Sequence, residues 1–257
     1  MFVRAYKRAF SVLAKKPFLL WGLSLLSALI VAIAKLNTAL VPVVGIGFGF
    51  VIEVGMAKVY LDGLEGRKVN SDQLFSGFSR LWRVAGGMAW RMLWYIIWGV
   101  AAIGAFLLVT SVFSAIGLIF VRINAKILLV FSIIGAVFGV LSALAVYAFS
   151  LTKTYAYAFV PYILATEPEV TATDALRVSM ERTKGLKMQM FLADLVFSAG
   201  LSVTFSILVL LCRIPFAGGL FAIATIAAFI VVLLFGGIFS GLYKASFYSM
   251  AKNGQND

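Results

Sequence analysis

Six apolar runs dominate the sequence, at residues 17–34, 39–61, 84–113, 127–160, 187–212 and 219–249. About 20 apolar residues in a helix cross a hydrocarbon core of ~30 Å, and within lipid each backbone amide and carbonyl must be satisfied inside its own segment. Runs of this length predict an all-α polytopic membrane protein with six transmembrane helices. Composition agrees: 63% of residues are hydrophobic and 12% are charged, where a soluble domain carries about 25% charged. The third, fourth and sixth runs exceed what a straight crossing needs, so they should tilt, bend or extend beyond the bilayer. Pro161, in FVPYIL, should end or bend the fourth helix, because its ring removes an amide donor and crowds the preceding turn. The basic segment before the first run has no small-x-small cleavage pattern behind it, and the run reads as a retained span.

Basic residues orient the spans. The side holding the N-terminus receives Arg4, Lys7, Arg8, Lys15 and Lys16, then Arg67, Lys68, Arg80 and Arg83, then Arg177, Arg182, Lys184 and Lys187, and finally Lys252. The other side receives Lys35, Arg122, Lys126 and Arg213. Fourteen against four predicts that both termini are cytoplasmic. The net charge of +12 then belongs to topology and lipid headgroups; no basic cluster interleaved with aromatics stands apart from the spans, so nucleic acid is not an expected partner.

The chain has no histidine and one cysteine, Cys212. That excludes an intramolecular disulfide, Cys/His metal centres and any mechanism built on a histidine base. No Walker motif and no paired-aspartate phosphotransferase motif occurs. A non-enzyme is expected, with no cofactor and no metal.

Three amphipathic segments lie between the spans, all on the predicted cytoplasmic side. The N-terminal one carries Phe2, Tyr6, Ala9 and Leu13 on one face. In SDQLFSGFSRLWR, Leu74, Phe75, Phe78, Leu81 and Trp82 make an apolar stripe opposite Asp72, Arg80 and Arg83. Over 171–185, Ala172, Ala175, Leu176, Ser179, Met180 and Thr183 share a side, Thr171 with Asp174 approximates a capping box, and Gly185 is a stop signal. Such helices are expected to lie in the interface with the apolar face down. Each is followed by a span out and a span back, and the returning spans end alike, with Tyr60, Tyr162 and Tyr248 at headgroup level. Glu65 and Glu167 each follow five residues after the first two of these tyrosines. The pattern predicts one membrane domain, 1–257, made of three parallel repeats at 1–62, 63–165 and 166–257.

The run VPYILATEPEVTATDALRVSMERTKGLKMQMF resembles a signature of bacterial, Firmicute-type six-span membrane proteins of unknown function. Pro161, Tyr162, Glu167, Ala175, Leu176, Ser179, Lys184, Gly185 and Phe191 carry the likeness, and YLDGLEGRKVNSDQLFSGF is similar to a second segment of that family, with a different order of charges. The family is distantly similar to the membrane domain fused to some glycerophosphodiester phosphodiesterases, whose hydrolase part needs histidines. The resemblance implies a multi-pass protein of the bacterial cytoplasmic (plasma) membrane and no catalytic residue.

Charged groups inside spans are functional candidates. Glu53, Lys58, Arg91, Lys153, Asp194 and Lys244 are expected to form a polar layer in the cytoplasmic half. Two readings stand side by side: a vestibule for a headgroup, proton or ion, or structural pairs, Glu53 with Arg91 and Asp194 with Lys153 or Lys244. The glycines of VVGIGFGF and the pairs Gly135/Gly139 and Gly237/Gly241 suggest close helix packing. A cytoplasmic collar is expected from Phe75, Phe78, Arg80, Trp82, Arg177, Arg182 and Lys184. The leading expectation is a membrane-embedded binding or accessory component, holding lipid headgroups or docking a partner membrane protein or ATPase, with a homo-oligomer compatible. A small transporter, channel or lipid translocase is the alternative, and immunity against a membrane-active peptide is a third reading.

Overall fold

The computed structural model describes residues 2–15, 17–36, 42–120, 125–214 and 217–254. Regular structure among them is helical throughout: α1 (Phe2–Lys15), α2 (Pro17–Leu36), α3 (Pro42–Leu64), a 3-10 helix (Ser71–Arg80), α4 (Leu81–Phe120), α5 (Ala125–Ala156), α6 (Val160–Thr166), α7 (Asp174–Arg182), α8 (Lys187–Leu211) and α9 (Gly218–Asn253). Three helical segments are long and apolar enough to cross a membrane: Ser71–Ile119, Lys126–Thr166 and Lys187–Leu211. The number rises to five if two bent pairs, α1 with α2 and the two halves of α9, each count as one span. Lys35 and Arg122, two of the four basic residues assigned to the far side, have side chains outside the described residues.

Pro161 acts as its chemistry dictates. The fourth apolar run breaks after Ala156, and Pro161 sits in the first turn of α6, where a missing N–H costs nothing. Gly66 and Gly185 adopt φ of 71° and 77° and close the turns after α3 and α7, positions that favour glycine.

The chain forms two compact units, Met1–Met88 with Ala158–Asp257, and Ala89–Tyr157. In the first unit α3 packs against α6 and α9, and each short helix rests on one of these three: α1 on α9, the 3-10 helix on α3, and α7 on α6. The seats combine small residues with leucines. Ala5 and Ala9 of α1, Leu74 and Gly77 of the 3-10 helix, and Ala175, Leu176 and Ser179 of α7 are buried. The backbone N–H of Phe159 donates to Ser179 Oγ at 3.2 Å. Part of each apolar face expected to meet lipid therefore meets protein, where small side chains let one helix approach another closely, while Phe75 and Trp82 stay exposed. What remains outside is bulky: Phe10 is 67% exposed and Trp82 88%.

The segment 71–80 differs in kind from its sequence reading. An α-helical stripe through Phe75, Phe78 and Trp82 was expected, yet the chain runs as a 3-10 helix to Arg80 before entering α4. With three residues per turn, Leu74 and Gly77 align toward α3. A Cβ at Gly77 would lie 2.9 Å from Val51 Cγ1. Phe78 instead meets Phe48, ring centres 5.2 Å apart.

Glycine packing is redistributed as well. Gly47 and Gly49 face open space, whereas a Cβ on Gly55 would come within 2.1 Å of the Leu74 carbonyl oxygen and one on Gly241 within 2.1 Å of the Tyr60 ring. Gly237 contacts nothing within 4 Å, so of that GxxxG pair only Gly241 makes a close approach.

The second unit is an antiparallel hairpin of α4 from Ala89 and α5. Gly135 packs on Phe113 and Gly139 on Phe106 and Thr110, as the spacing suggested. Phe113 and Phe138 stack with ring centres 5.5 Å apart, and Trp98 meets Phe149 at 4.9 Å.

The two kinds of glycine can be separated experimentally. Gly55→Ala forces the 3-10 backbone away from α3 and should destabilise the protein by about 1–3 kcal/mol, read as a lower thermal midpoint in detergent. Gly49→Ala, one and a half turns earlier on the same helix, should stay within about 0.5 kcal/mol of the parent. Equal effects would refute this seat.

Candidate functional site

The end of the first unit that carries the short helices is built around two carboxylates. Glu167 caps α6 and is 16% exposed at its side chain. Arg182, from the last turn of α7, binds it through both guanidinium nitrogens, Nη2 donating to Oε2 at 2.9 Å and Nη1 to Oε1. Tyr248 of α9 donates its hydroxyl to Oε1 at 2.5 Å, and Lys252 Nζ stands 3.7 Å from the same oxygen. One carboxylate thus ties α6, α7 and α9 together. Burial pushes the Glu167 carboxyl up, but the hydrogen bonds from Arg182 and Tyr248 and the charges of Arg182 and Lys252 outweigh it and hold the group below its usual range. The same hydrogen bond raises the Arg182 guanidinium.

Arg83, in the first turn of α4, clamps the segment on the other side of Glu167. Its Nε donates to the Val170 carbonyl at 2.7 Å, Nη1 to that of Leu164 at 3.0 Å, and Nη2 to that of Glu167. These carbonyls at and beyond the α6 C-terminus lack helical partners, and a guanidinium answers three of them at once.

The second carboxylate is Asp62, in the last turn of α3 and 5% exposed. Arg67 Nε donates to its Oδ1 at 2.6 Å and Gln73 Nε2 to its Oδ2 at 2.8 Å. Gln73 Nε2 also reaches the Lys68 carbonyl at 3.1 Å, and its Oε1 accepts from the Asn70 N–H at 3.4 Å. The turn between α3 and the 3-10 helix is thereby fixed. A cleft of about 440 Å³ opens between the ends of α3, α6 and α9, with Lys58, Asp62, Arg67, Thr166, Tyr248 and Lys252 among its walls.

The six members of the expected polar layer fall in different places. Asp194 of α8 accepts the Tyr243 hydroxyl of α9 and has Lys244 Nζ 3.8 Å away, which is the pairing anticipated with Lys244. Glu53 lies on α3, about one and a half turns before Lys58, and Lys58 borders the cleft just described. Arg91 and Lys153 belong to the hairpin unit. There the Arg91 guanidinium carbon stands 5.8 Å from the Tyr95 ring centre, and Lys153 Nζ lies 5.8 Å from that of Trp98 and 5.2 Å from that of Phe149. Lys153 thus meets aromatic faces, an attraction to ring quadrupoles. Of the collar residues, Phe75, Arg80, Trp82, Arg177 and Lys184 are exposed and Phe78 is half-buried. Arg182 is not a collar cation: its guanidinium is taken up by Glu167.

Sequence reasoning missed Asp62 and Gln73 and saw Tyr162 and Tyr248 only as headgroup anchors. Tyr248 is 1% exposed and Tyr162 6%. They stack with ring centres 5.6 Å apart, and the Tyr162 hydroxyl donates to the Gly241 carbonyl at 3.0 Å. The available signal was the acidic residue close behind each tyrosine, but it pointed to Glu65, which is exposed, in place of Asp62. Among the described residues no cluster of three metal-binding side chains occurs. The chain matches no protein-family model, and no curated protein or solved structure is significantly similar to it.

The Glu167 pair has a definite pH signature. Because its folded pKa is depressed below the ~4.3 of an unfolded glutamate, its stabilisation is complete above that value and disappears as pH falls through the lower, folded one. Glu167→Gln should cost about 2–4 kcal/mol at neutral pH by leaving Arg182 unpaired. The gap between parent and variant thermal midpoints should narrow as pH falls below about 4.3 and close below the lower, folded value. A constant gap across that window would show that the carboxylate charge does not matter.

Proposed function

We propose that this chain is a non-enzymatic, membrane-embedded binding component whose cytoplasmic face holds anionic lipid headgroups. In this reading it has six spans, both termini are cytoplasmic, and the chain is built of three copies of short helix plus span pair. The observation that carries the reading is an imbalance of charge at that end. The buried Asp62 and the half-buried Glu167 are paired with Arg67 and Arg182, while Arg80 and Lys184, like the acidic Asp72, Glu169 and Glu181, are exposed and make no ion pair among the described residues, and basic residues outnumber acidic ones over the whole chain, 22 to 10. Arg177 adds a third exposed guanidinium, matched by Asp174 at 3.3 Å, the weak surface kind of pair. Basic side chains near a membrane surface attract anionic lipid, each contributing about 1 kcal/mol.

Aromatic groups accompany the charges. Phe75 is 45% exposed and Trp82 88%, and tryptophan beside arginine is the pairing found where a helix enters the headgroup layer. The family resemblance drawn from residues 160–191 supports a bacterial plasma-membrane setting. A partner protein docking on the same collar would use the same side chains.

The collar reading predicts that replacing Phe75, Phe78 and Trp82 together with serine lowers anionic-lipid enrichment about threefold or more, measured by lipid analysis of protein purified in nanodiscs of mixed phosphatidylglycerol and phosphatidylcholine. Three lost interfacial aromatics, at fractions of a kcal/mol each, set that scale. Unchanged enrichment with unchanged membrane integration would sink the collar.

A further inference from the structure

We infer that a second cleft, between the 3-10 helix, α3 and the end of α6, binds the phosphate of one anionic phospholipid. The inference rests on the headgroup reading above and narrows it to one site and one chemical group. The cleft holds about 280 Å³, and its charged lining residues are Lys58, Arg80 and Arg83, with Ser76 and Ser79 beside them. Among the described residues no carboxylate lines it. Lys58 and Arg80 add positive charge beside Arg83, whose own charge is partly offset by Glu167 and Glu169, and an anion placed among the three is attracted by what remains.

The three cations have different standing. Each Arg83 guanidinium nitrogen donates to a backbone carbonyl, so Arg83 is a fixed positive charge in the wall with three of its five N–H donors already engaged. Lys58 and Arg80 have no hydrogen-bond or ion-pair partner among the described residues. Their donors are wholly uncommitted, and a tetrahedral oxyanion accepts from both together, with the guanidinium fork matching two oxygens. Ser79 Oγ donates to the Ser76 carbonyl at 2.8 Å and Ser76 Oγ to that of Gln73 at 2.7 Å. Each hydroxyl rotates to a phosphate oxygen by giving up one exchangeable bond.

Gly77 makes this geometry reachable. Its missing side chain lets the 3-10 helix lie against Val51, which brings Ser76, Ser79 and Arg80 to the same hollow as Lys58. The floor is apolar, formed by Val54, Val84 and Leu164. The volume lies at the small end of ligand pockets, ~300–1,000 Å³, so it suits a phosphate or phosphoglycerol group and is too small for a nucleotide. The absence of a carboxylate disfavours choline or ethanolamine heads, whose ammonium would find no counter-charge.

The test uses the full chain in mild detergent, with phosphatidylglycerol bound per protein counted by native mass spectrometry. The parent should retain one phosphatidylglycerol, and bind phosphatidylcholine about tenfold more weakly. Lys58→Met combined with Arg80→Gln should weaken phosphatidylglycerol about tenfold to a hundredfold, the scale of one or two charge-assisted hydrogen bonds, while Lys58→Arg retains it. Millimolar inorganic phosphate that displaces the lipid would assign the cleft to a soluble phosphate, and resistance to it assigns the cleft to lipid; both outcomes support a phosphate site. Undiminished binding in the double variant would overturn the site. The Phe75, Phe78 and Trp82 triple variant separates the two ideas: lipid loss there but not in the double variant leaves the collar standing and removes the cleft. If the double variant does not fold, equal affinity of the parent for phosphatidylglycerol and phosphatidylcholine overturns the inference by itself.

Discussion

Everything at the polar end depends on α3, α6 and α9 meeting closely, and Gly241 is where they meet. The Tyr60 ring lies where its Cβ would be, and the Tyr162 hydroxyl donates to its carbonyl. Tyr248, almost two turns further along α9, stacks on Tyr162 and reaches Glu167. Lipid offers helices no hydrophobic reason to associate, so close backbone approach and hydrogen bonds must hold them. Tyrosine suits both requirements, since its ring packs and its hydroxyl finds a partner. Once the three elements are joined, the short helices have surfaces to rest on, and the clefts at the polar end follow from the gaps between them.

The helical framework was legible from apolar run length, with α8 and α9 starting and ending within a few residues of the expected runs. Pro161 and Gly185 were legible because ring closure and positive φ are local properties of the chain. The destination of each amphipathic face was not. An apolar stripe reads the same whether lipid or protein covers it, because lipid tails and leucine side chains are equally apolar. The size of the residues held the missing information: Ala5, Ala9, Gly77 and Ser179 are small where a helix meets another helix, and Phe10 and Trp82 are large where none does. The 3-10 winding of 71–80 escaped for a related reason. Leu74, Phe75 and Phe78 fit a period of 3.6, and only the contact of Gly77 with Val51 selects a period of three.

The charged residues divide along the same line. Arg182 and Arg80 look alike in sequence, each a basic residue at the end of a short amphipathic segment. Their fates differ because a long-range partner, Glu167, lies fifteen residues before Arg182 and across a turn, while no carboxylate comes to Arg80. Sequence spacing reports pairs within one helix, such as Asp174 with Arg177, but not pairs made by a turn. The polar layer was mixed for the same reason: Asp194 finds Lys244 across two neighbouring helices, and Lys153 faces aromatic rings of its own hairpin.

Charge at a helix end is costly to leave unanswered only where water is excluded. Asp62 is buried and Glu167 half-buried, and each is answered by a guanidinium and at least one neutral donor. Lys58 is only half-buried, so its ammonium survives without a partner, at the edge of a hollow that two arginines also line. A protein that needed only stability would gain from placing a carboxylate there, as it does twice nearby. With no carboxylate among the described residues that line it, the positive charge of the hollow is left for an anion from outside the chain, as proposed above.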